Sequence, residues 1–96
     1  MVNLLSLKLN KSDIIYDDKV KKTYGGSGVV RLHDRFLGER AYVVFPINRK
    51  DTGDEIYVEI DEILNKGIRP NNNHTSKVSF DKKYVGRKCI LVLQEA

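Results

Sequence analysis

Alternation of apolar and polar residues divides the chain into short segments that are typical of β-strands. Residues 5–9 (LSLKL) and 56–60 (IYVEI) place an apolar side chain at every second position. A period of two is expected for a strand that buries one of its faces. The other predicted strands are 29–33, 77–80 and two apolar runs rich in branched residues, AYVVF at 41–45 and CILVL at 89–93. Branched residues suit central strands, so the predicted fold class is mainly β.

Short helical turns are predicted before the last strand of each half. They are RFL at 35–37 and KKYV at 82–85, capped by Asp34 and Asp81 and ended by Gly38 and Gly86. An aspartate accepts hydrogen bonds from the first backbone N–H groups of a helix, and glycine adopts the left-handed conformation that ends one. The segment DEILNK at 61–66 predicts one more turn, which would end at Gly67.

The second half of the chain repeats the pattern of the first with an offset of 48 residues. When Gly38 is placed over Gly86, nine of eighteen consecutive columns hold apolar residues in both halves. We interpret the chain as a single domain, 1–96, made of two tandem strand, strand, helical turn, strand units, 1–48 and 49–96. A unit of this size cannot bury a face alone, so the two units are predicted to interleave about a pseudo-two-fold axis as a small β-barrel.

The glycine-rich stretch TYGGSG at 23–28 resembles a phosphate-binding loop only in composition. A P-loop ends in Gly-Lys followed by Ser or Thr, whereas Gly28 is followed by Val29, and the glycine spacing of a dinucleotide-binding fingerprint is absent too. The counterpart of this stretch in the second half contains asparagines. Since Gly and Asn are the residues that accept a positive φ, residues 25–26 and 72–73 are predicted to form equivalent turns.

The order of these elements resembles a known group of small barrels. The pair Lys21-Lys22, the Gly-Ser loop at 25–28, a short strand, a helical turn, Gly38 and a final apolar strand resemble the swapped-hairpin AbrB-type DNA-binding domain. More closely, the chain resembles small archaeal transposon-associated proteins of unknown function, whose units carry a G-N-S loop, a strand, Pro-Lys, an aromatic residue and Gly-Lys-Lys. Both belong to the cradle-loop barrels. The resemblance covers 19–45 and 66–93, here as a fused duplication, and leaves open a swapped-hairpin, RIFT or double-psi topology.

The resemblance implies DNA binding of the kind seen in transcription regulators, with contacts near the two loops. This sequence departs from the family pattern at Gly26, where the family has asparagine, and in fusing two units that the AbrB type supplies from two chains. The residues at matching positions are Lys21, Lys22 and Ser27 beside the first loop, and Arg69 and Thr75 beside the second.

The distribution of charge indicates the same class of partner. The chain has 17 basic and 13 acidic residues, and seven bases lie between residues 66 and 88 against Asp81 alone. Clustered Lys and Arg attract the phosphate backbone and release its counterions. The basic residues predicted to join the interface are Arg31, Arg35, Lys77, Lys82 and Lys83. We therefore expect sequence-tolerant binding of double-stranded DNA by a basic face that both units form, in a monomer or a homodimer.

The alternative hypothesis is a protein-interaction or adaptor domain, a use known for the related double-psi barrels of archaeal AAA ATPases. Residues 51–62 contain six acids and no Lys or Arg, and this segment would then be the recognition surface. The bases would serve solubility. Salt-dependent binding of nucleic acid would distinguish the two hypotheses.

Catalysis, a metal site and a cofactor are not expected. His33 and His74 fall at different positions of the two halves, and Cys89 lies in an apolar strand where a small core residue is expected. These residues show no metal-ligand spacing. No segment approaches the roughly 18 apolar residues of a membrane span and no signal peptide is visible, so a cytoplasmic location is expected.

Overall fold

The regular elements that the structure describes are β-strands and single 3-10 turns, which confirms the mainly β prediction. The structure is a computed structural model that describes residues 5–94. The strands are β1 (Leu5–Asn10), β2 (Ile14–Lys19), β3 (Lys21–Lys22), β4 (Gly28–His33), β5 (Arg40–Thr52), β6 (Glu55–Gly67), β7 (Arg69–Pro70), β8 (Thr75–Phe80) and β9 (Lys88–Leu93). The 3-10 turns are Lys11–Asp13, Asp34–Phe36 and Lys82–Tyr84.

The strands form two antiparallel sheets. The large sheet has the order β1-β6-β5-β9-β2, and the small sheet has the order β3-β4-β8-β7. No strand of the described residues is shared between the sheets, so the strand pairing gives two separate sheets instead of one continuous barrel wall. The pseudo-two-fold barrel therefore stays a prediction.

Several elements of the second half begin 48 residues after their counterparts in the first half. This holds for β3 and β7, for β5 and β9, and for the two 3-10 turns that precede β5 and β9. Gly38 and Gly86 follow these turns with φ of 85° and 87°, so both glycines end a turn as expected. A common origin of the two halves by duplication stays a prediction.

One apolar cluster fills the space between the two sheets. Its buried members are Val20, Val30, Leu32, Ala41, Val43, Phe45, Ile68, Val78, Phe80, Tyr84, Cys89 and Leu91. The Phe45 ring is stacked on the Tyr84 ring, with centroids 4.9 Å apart, and meets the Phe80 ring edge-on at 6.3 Å. Pairs of this kind add to the free energy gained by burying the rings.

A second apolar cluster covers the other face of the large sheet. Its buried members are Val44, Ile56, Val58, Ile60 and Ile90. Val44 and Ile90 alternate with residues of the first cluster along β5 and β9, so these strands are buried on both faces. This explains why AYVVF and CILVL read as continuous apolar runs.

The hairpin of β5 and β6 is longer than the sequence pattern predicted. Both strands have 13 residues and pair along their whole length, with Gly53 in the turn at a φ of 25°. The predicted helical turn at 61–66 is wrong, because this segment belongs to β6 and its residues 62–66 pair with residues 41–45. Pairing with a buried central strand overrides a weak local preference for helix.

The turns also differ in detail from the prediction. Asp81 caps its 3-10 turn as expected, since its carboxylate accepts from the Lys82 backbone N–H at 3.0 Å. In the first half the cap is His33 instead of Asp34, and its Nδ1 accepts from the Arg35 backbone N–H. The expected positive φ at 72–73 is wrong: within residues 5–94 only glycines have positive φ. Asn72 builds its turn through the side chain, whose Oδ1 accepts from the backbone N–H groups of residues 74 and 75.

Candidate nucleic-acid interface

Three basic side chains form a row across the small sheet. Arg31 of β4 lies directly opposite Lys77 of β8, and Lys77 lies directly opposite Arg69 of β7. Their neighbours Val30 and Val78 are buried between the sheets, so alternation places the three bases on the outer face. We call Arg31, Lys77 and Arg69 the basic row.

The basic row lacks internal charge compensation. None of its three members has a carboxylate within 4.0 Å among residues 5–94, where the ion pairs involve Lys8, Lys11, Lys21, Arg49 and Arg87. Like charges directly opposite each other destabilise a sheet. The row is therefore a concentration of positive charge without an ion-pair partner among the described residues.

The residues equivalent to Arg69 and its neighbour in the first half behave differently. Lys21 of β3 pairs with Val29, and its Nζ lies 3.6 Å from the Asp18 carboxylate. The backbone N–H of Lys19 and the charge of Lys21 hold the pKa of Asp18 below its ordinary value, so this carboxylate stays ionised. Lys22 pairs with Gly28 and, by alternation, points to the opposite side of β3.

The hydroxyl residues implied by the resemblance are engaged inside their own loops. The Ser27 hydroxyl lies 3.0 Å from the Thr23 hydroxyl, and the Ser27 carbonyl accepts from the Thr23 backbone N–H. The Thr75 hydroxyl accepts from Asn71 Nδ2 at 2.9 Å and donates to Asn72 Oδ1 at 3.0 Å. Both hydroxyls thus contribute to the shape of the loops that flank the small sheet.

The remaining predicted contacts lie on the two 3-10 turns. Arg35 stacks over the Phe36 ring at 4.7 Å, and Lys83, next to Lys82, lies 5.1 Å from the Tyr84 ring centroid. Because β4 and β8 are antiparallel, the turns that follow them lie at opposite ends of the strand pair, about 20 Å apart for strands of this length. The structure brings together the basic row, and it places Arg35 and the two lysines at either end.

A pocket of about 400 Å³ borders the basic row at Arg69. Its lining residues are Arg40, Asn65, Lys66, Gly67, Arg69 and Ser79. The pocket lies where the chain leaves the large sheet at Gly67 and enters the small sheet at Arg69. From the sequence, Arg40 and Lys66 count among the bases of the two halves, but their proximity could not be predicted, because it depends on the pairing of β5 with β6. The sequence signal that could have indicated this site is that Asn65 and Lys66 stand where the first half of the chain has the acids Asp17 and Asp18.

Most acids of the segment 51–62 contact bases of the same chain. The Arg49 guanidinium binds Asp17 and Asp51 in bidentate fashion, at distances of 2.7 to 3.0 Å. The other pairs are Lys11 with Asp51, Lys8 with Glu55, and Arg87 with Asp61 and Glu62. These contacts compensate a large part of the negative charge that the sequence suggested for a recognition surface.

Two side chains of the first apolar cluster, Cys89 and Tyr84, have raised pKa values. Cys89 is buried as predicted, and burial raises the pKa of its thiol to about 12. Tyr84 donates to Glu62 at 2.5 Å, and this hydrogen bond raises the pKa of the tyrosine. Within the described part of the chain no three His, Cys, Asp or Glu side chains gather to hold a metal ion. Nor does any helix in that part have the length and apolar character to cross a membrane.

Comparison of the chain with protein-family models, with curated proteins and with solved structures finds no match. The resemblance to cradle-loop barrels therefore stays a prediction.

Proposed function

We propose that the protein binds double-stranded DNA, with little dependence on base sequence, through the outer face of the small sheet. The observation that carries this proposal is the basic row: three cations on three adjacent strands, without an acid within 4.0 Å among residues 5–94. Elsewhere in the described chain, five Lys and Arg side chains are held in ion pairs. The basic row is one part of the surface where positive charge is concentrated without an ion-pair partner among residues 5–94.

The spacing of the basic row suits a phosphate backbone. Adjacent strands lie about 4.8 Å apart, so the row spans about 10 Å from Arg31 to Arg69. A duplex carries one negative charge per about 1.7 Å of its axis, and several phosphates fall within that span. Lys and Arg contacts to phosphate fix the protein on the duplex and carry no base information. Binding of this kind is sequence-tolerant and depends strongly on salt.

The adaptor hypothesis makes a different demand on the surface. It needs the acids of 51–62 to be free for a partner, whereas Asp51, Glu55, Asp61 and Glu62 contact bases of the same chain. Asp54 and Glu59 have no such contact within the described residues. The geometry therefore favours the DNA hypothesis, and the experiment below decides between the two.

The test is a titration of the protein with a generic DNA duplex of about two helical turns, at several salt concentrations between about 50 and 200 mM. We expect the logarithm of the binding constant to fall linearly with the logarithm of the salt concentration. Arg31→Gln should lower the slope by about one, as for the loss of one phosphate contact. Lys50→Gln removes the same charge from an exposed position on β5 and should leave the slope unchanged. Absence of salt-sensitive affinity in the wild type would overturn the proposal and make the adaptor hypothesis the leading one.

A further inference from the structure

Three of the six residues that line the pocket beside the basic row are cationic. Arg40, Lys66 and Arg69 line it together with the hydroxyl of Ser79, and no acidic side chain is among its lining residues. The Lys66 Nζ lies 5.6 Å from the centroid of the Phe80 ring, where the face of the ring stabilises the ammonium group. Such a pocket selects for an anion by charge and offers it hydrogen-bond donors.

Arg40 is held in place by neutral partners. Its Nε donates to Asn65 Oδ1 at 2.7 Å, and Nη2 lies 3.4 Å from the Asn65 carbonyl oxygen. Asn65 is fixed in turn, since its Nδ2 donates to Gln94 Oε1 at 2.6 Å. The guanidinium carries more N–H donors than these bonds use. An arginine that is oriented but not neutralised is suited to bind a phosphate group through two donors at once.

Gly67 is a neighbour of the Arg40 guanidinium. It lies directly opposite Arg40 in the pairing of β5 with β6, and a Cβ atom at this position would lie 3.4 Å from Arg40 Nη1. The φ of Gly67 is not positive, so the backbone conformation does not require glycine here. A Cβ here would be in ordinary van der Waals contact with the guanidinium, so Gly67 leaves this side of Arg40 open without being required there.

The equivalent corner of the first half has the opposite charge pattern. The positions 48 residues before Asn65 and Lys66 are Asp17 and Asp18. Asp17 binds Arg49, and Asp18 lies 3.6 Å from Lys21, the counterpart of Arg69. The corner in the first half therefore has its own carboxylates as counter-ions. In the second half the same two positions hold the amide of Asn65 and the ammonium group of Lys66.

We propose that this pocket is a phosphate-binding site that seats one backbone phosphate of the nucleic acid bound on the basic row. That the phosphate belongs to a DNA backbone rests on the proposed function, whereas binding of a phosphate group by this pocket does not. Arg40 and Arg69 hold the phosphate oxygens, Lys66 supplies charge from the side of Phe80, and Ser79 adds a donor. Bound phosphate relieves the repulsion among the three cations.

The first arm of the test uses inorganic phosphate and the protein alone. Backbone amide signals of Gly67, Arg69 and Ser79 are followed by NMR as phosphate is added, with sodium chloride of the same ionic strength as the control. Saturable shifts at these residues support the pocket. Asn65→Asp places next to Arg40 a carboxylate like that of Asp17 at the equivalent corner of the first half. This variant should stay folded and should no longer show the phosphate-dependent shifts. The proposed phosphate site would be overturned if sodium chloride produced the same shifts, or if the shifts were unchanged in Asn65→Asp.

The second arm uses the DNA titration at several salt concentrations. Arg40→Gln and Asn65→Asp should each lower the salt slope by about one, and Lys50→Gln should not. If the wild type binds DNA but both pocket variants keep its affinity and salt slope, the pocket does not seat a backbone phosphate of the bound DNA. The proposed function would then stand without this further inference. If DNA does not bind but phosphate still shifts the three amides, the proposed function fails and the pocket is a site for a free phosphate compound.

Discussion

Val30 lies directly opposite Val78 in the pairing of β4 with β8, and the two residues are 48 positions apart in the chain. Val43 and Leu91, also 48 positions apart, are opposite each other in the pairing of β5 with β9. All four side chains are fully buried in the cluster between the sheets. The two halves of the chain thus meet at equivalent residues in both sheets, and the centre of the core depends on both.

Truncation at this centre should be costly. Leu91→Ala is expected to lower the free energy of unfolding by about 2 to 5 kcal/mol, because it removes buried methyl groups and leaves a cavity. Urea unfolding followed by circular dichroism measures the change. Leu37→Ala, at a position that is 48% exposed, should stay within about 0.5 kcal/mol of the wild type. Equal losses in the two variants would mean that Leu91 is not central.

Two neighbouring side chains leave no free space for a Cβ atom at Gly28. A Cβ at this position would lie 2.7 Å from Val20 Cγ1 and 3.0 Å from Phe80 Cβ. Gly28→Ala should therefore destabilise the fold by about 1 to 3 kcal/mol through overpacking. Gly25→Ala is the matched control, because its nearest neighbour, Thr23 Oγ1, lies 4.0 Å away. A thermal melt in which both variants match the wild type would contradict the packing described for β4.

Equivalent bases should contribute unequally to DNA binding. Arg69→Gln is expected to lower the salt slope by about one, whereas Lys21→Gln should change it less, since Asp18 already compensates the Lys21 charge. Asp18→Asn should make Lys21 available, so that Lys21→Gln in that background lowers the slope as Arg69→Gln does. Binding titrations of the wild type and of these four variants measure this. An identical response of Lys21→Gln with and without Asp18 would contradict the proposed neutralisation.

Acid should weaken the contacts around Arg49. Hydrogen bonds from Arg49 hold the pKa of Asp51 below its ordinary value, so the folded state binds this proton less readily than the unfolded chain. The resulting stabilisation is present above the ordinary carboxyl pKa of about 3.9 and is lost as the pH falls through the lower, folded-state value. The melting temperature should therefore fall in this range, and less steeply in Asp51→Asn than in the wild type. Asp13→Asn, which removes an acid without an ion pair among residues 5–94, should keep the wild-type steepness.

The sequence was sufficient for the strands whose pattern is local. Residues 5–9, 41–45 and 89–93 are strands as predicted. Their patterns are local, since a strand with one buried face alternates apolar and polar residues and a strand buried on both faces is continuously apolar. The extension of β5 beyond Phe45 was missed, since the polar residues of this stretch are strand only through pairing with β6. For the same reason 61–66 was mistaken for a helical turn.

The candidate site was predictable in its charge and not in its geometry. Arg31 and Lys77 could be named because they lie in predicted strands, and Arg69 because it matches a position beside the second loop of the resembling family. That Arg31, Lys77 and Arg69 share one line depends on the strand order, and Arg40 reaches Asn65 only through the pairing of β5 with β6. The loop at 72–73 lacks the expected positive φ because an asparagine can form the turn with its side chain, which composition does not reveal.

Strand β9 pairs with both β2 and β5, and this order constrains how the chain folds as it leaves the ribosome. The β5–β6 hairpin needs only residues 40–67 and can form early, as a local structure. The edges of β2 and β5 remain open until residue 93 has been made, and β4 waits for β8. Pairings this distant in sequence form slowly, and open edges invite association between chains. Both sheets are therefore completed only after synthesis of the last strands, which makes the newly made chain most vulnerable to aggregation just before β9 is added.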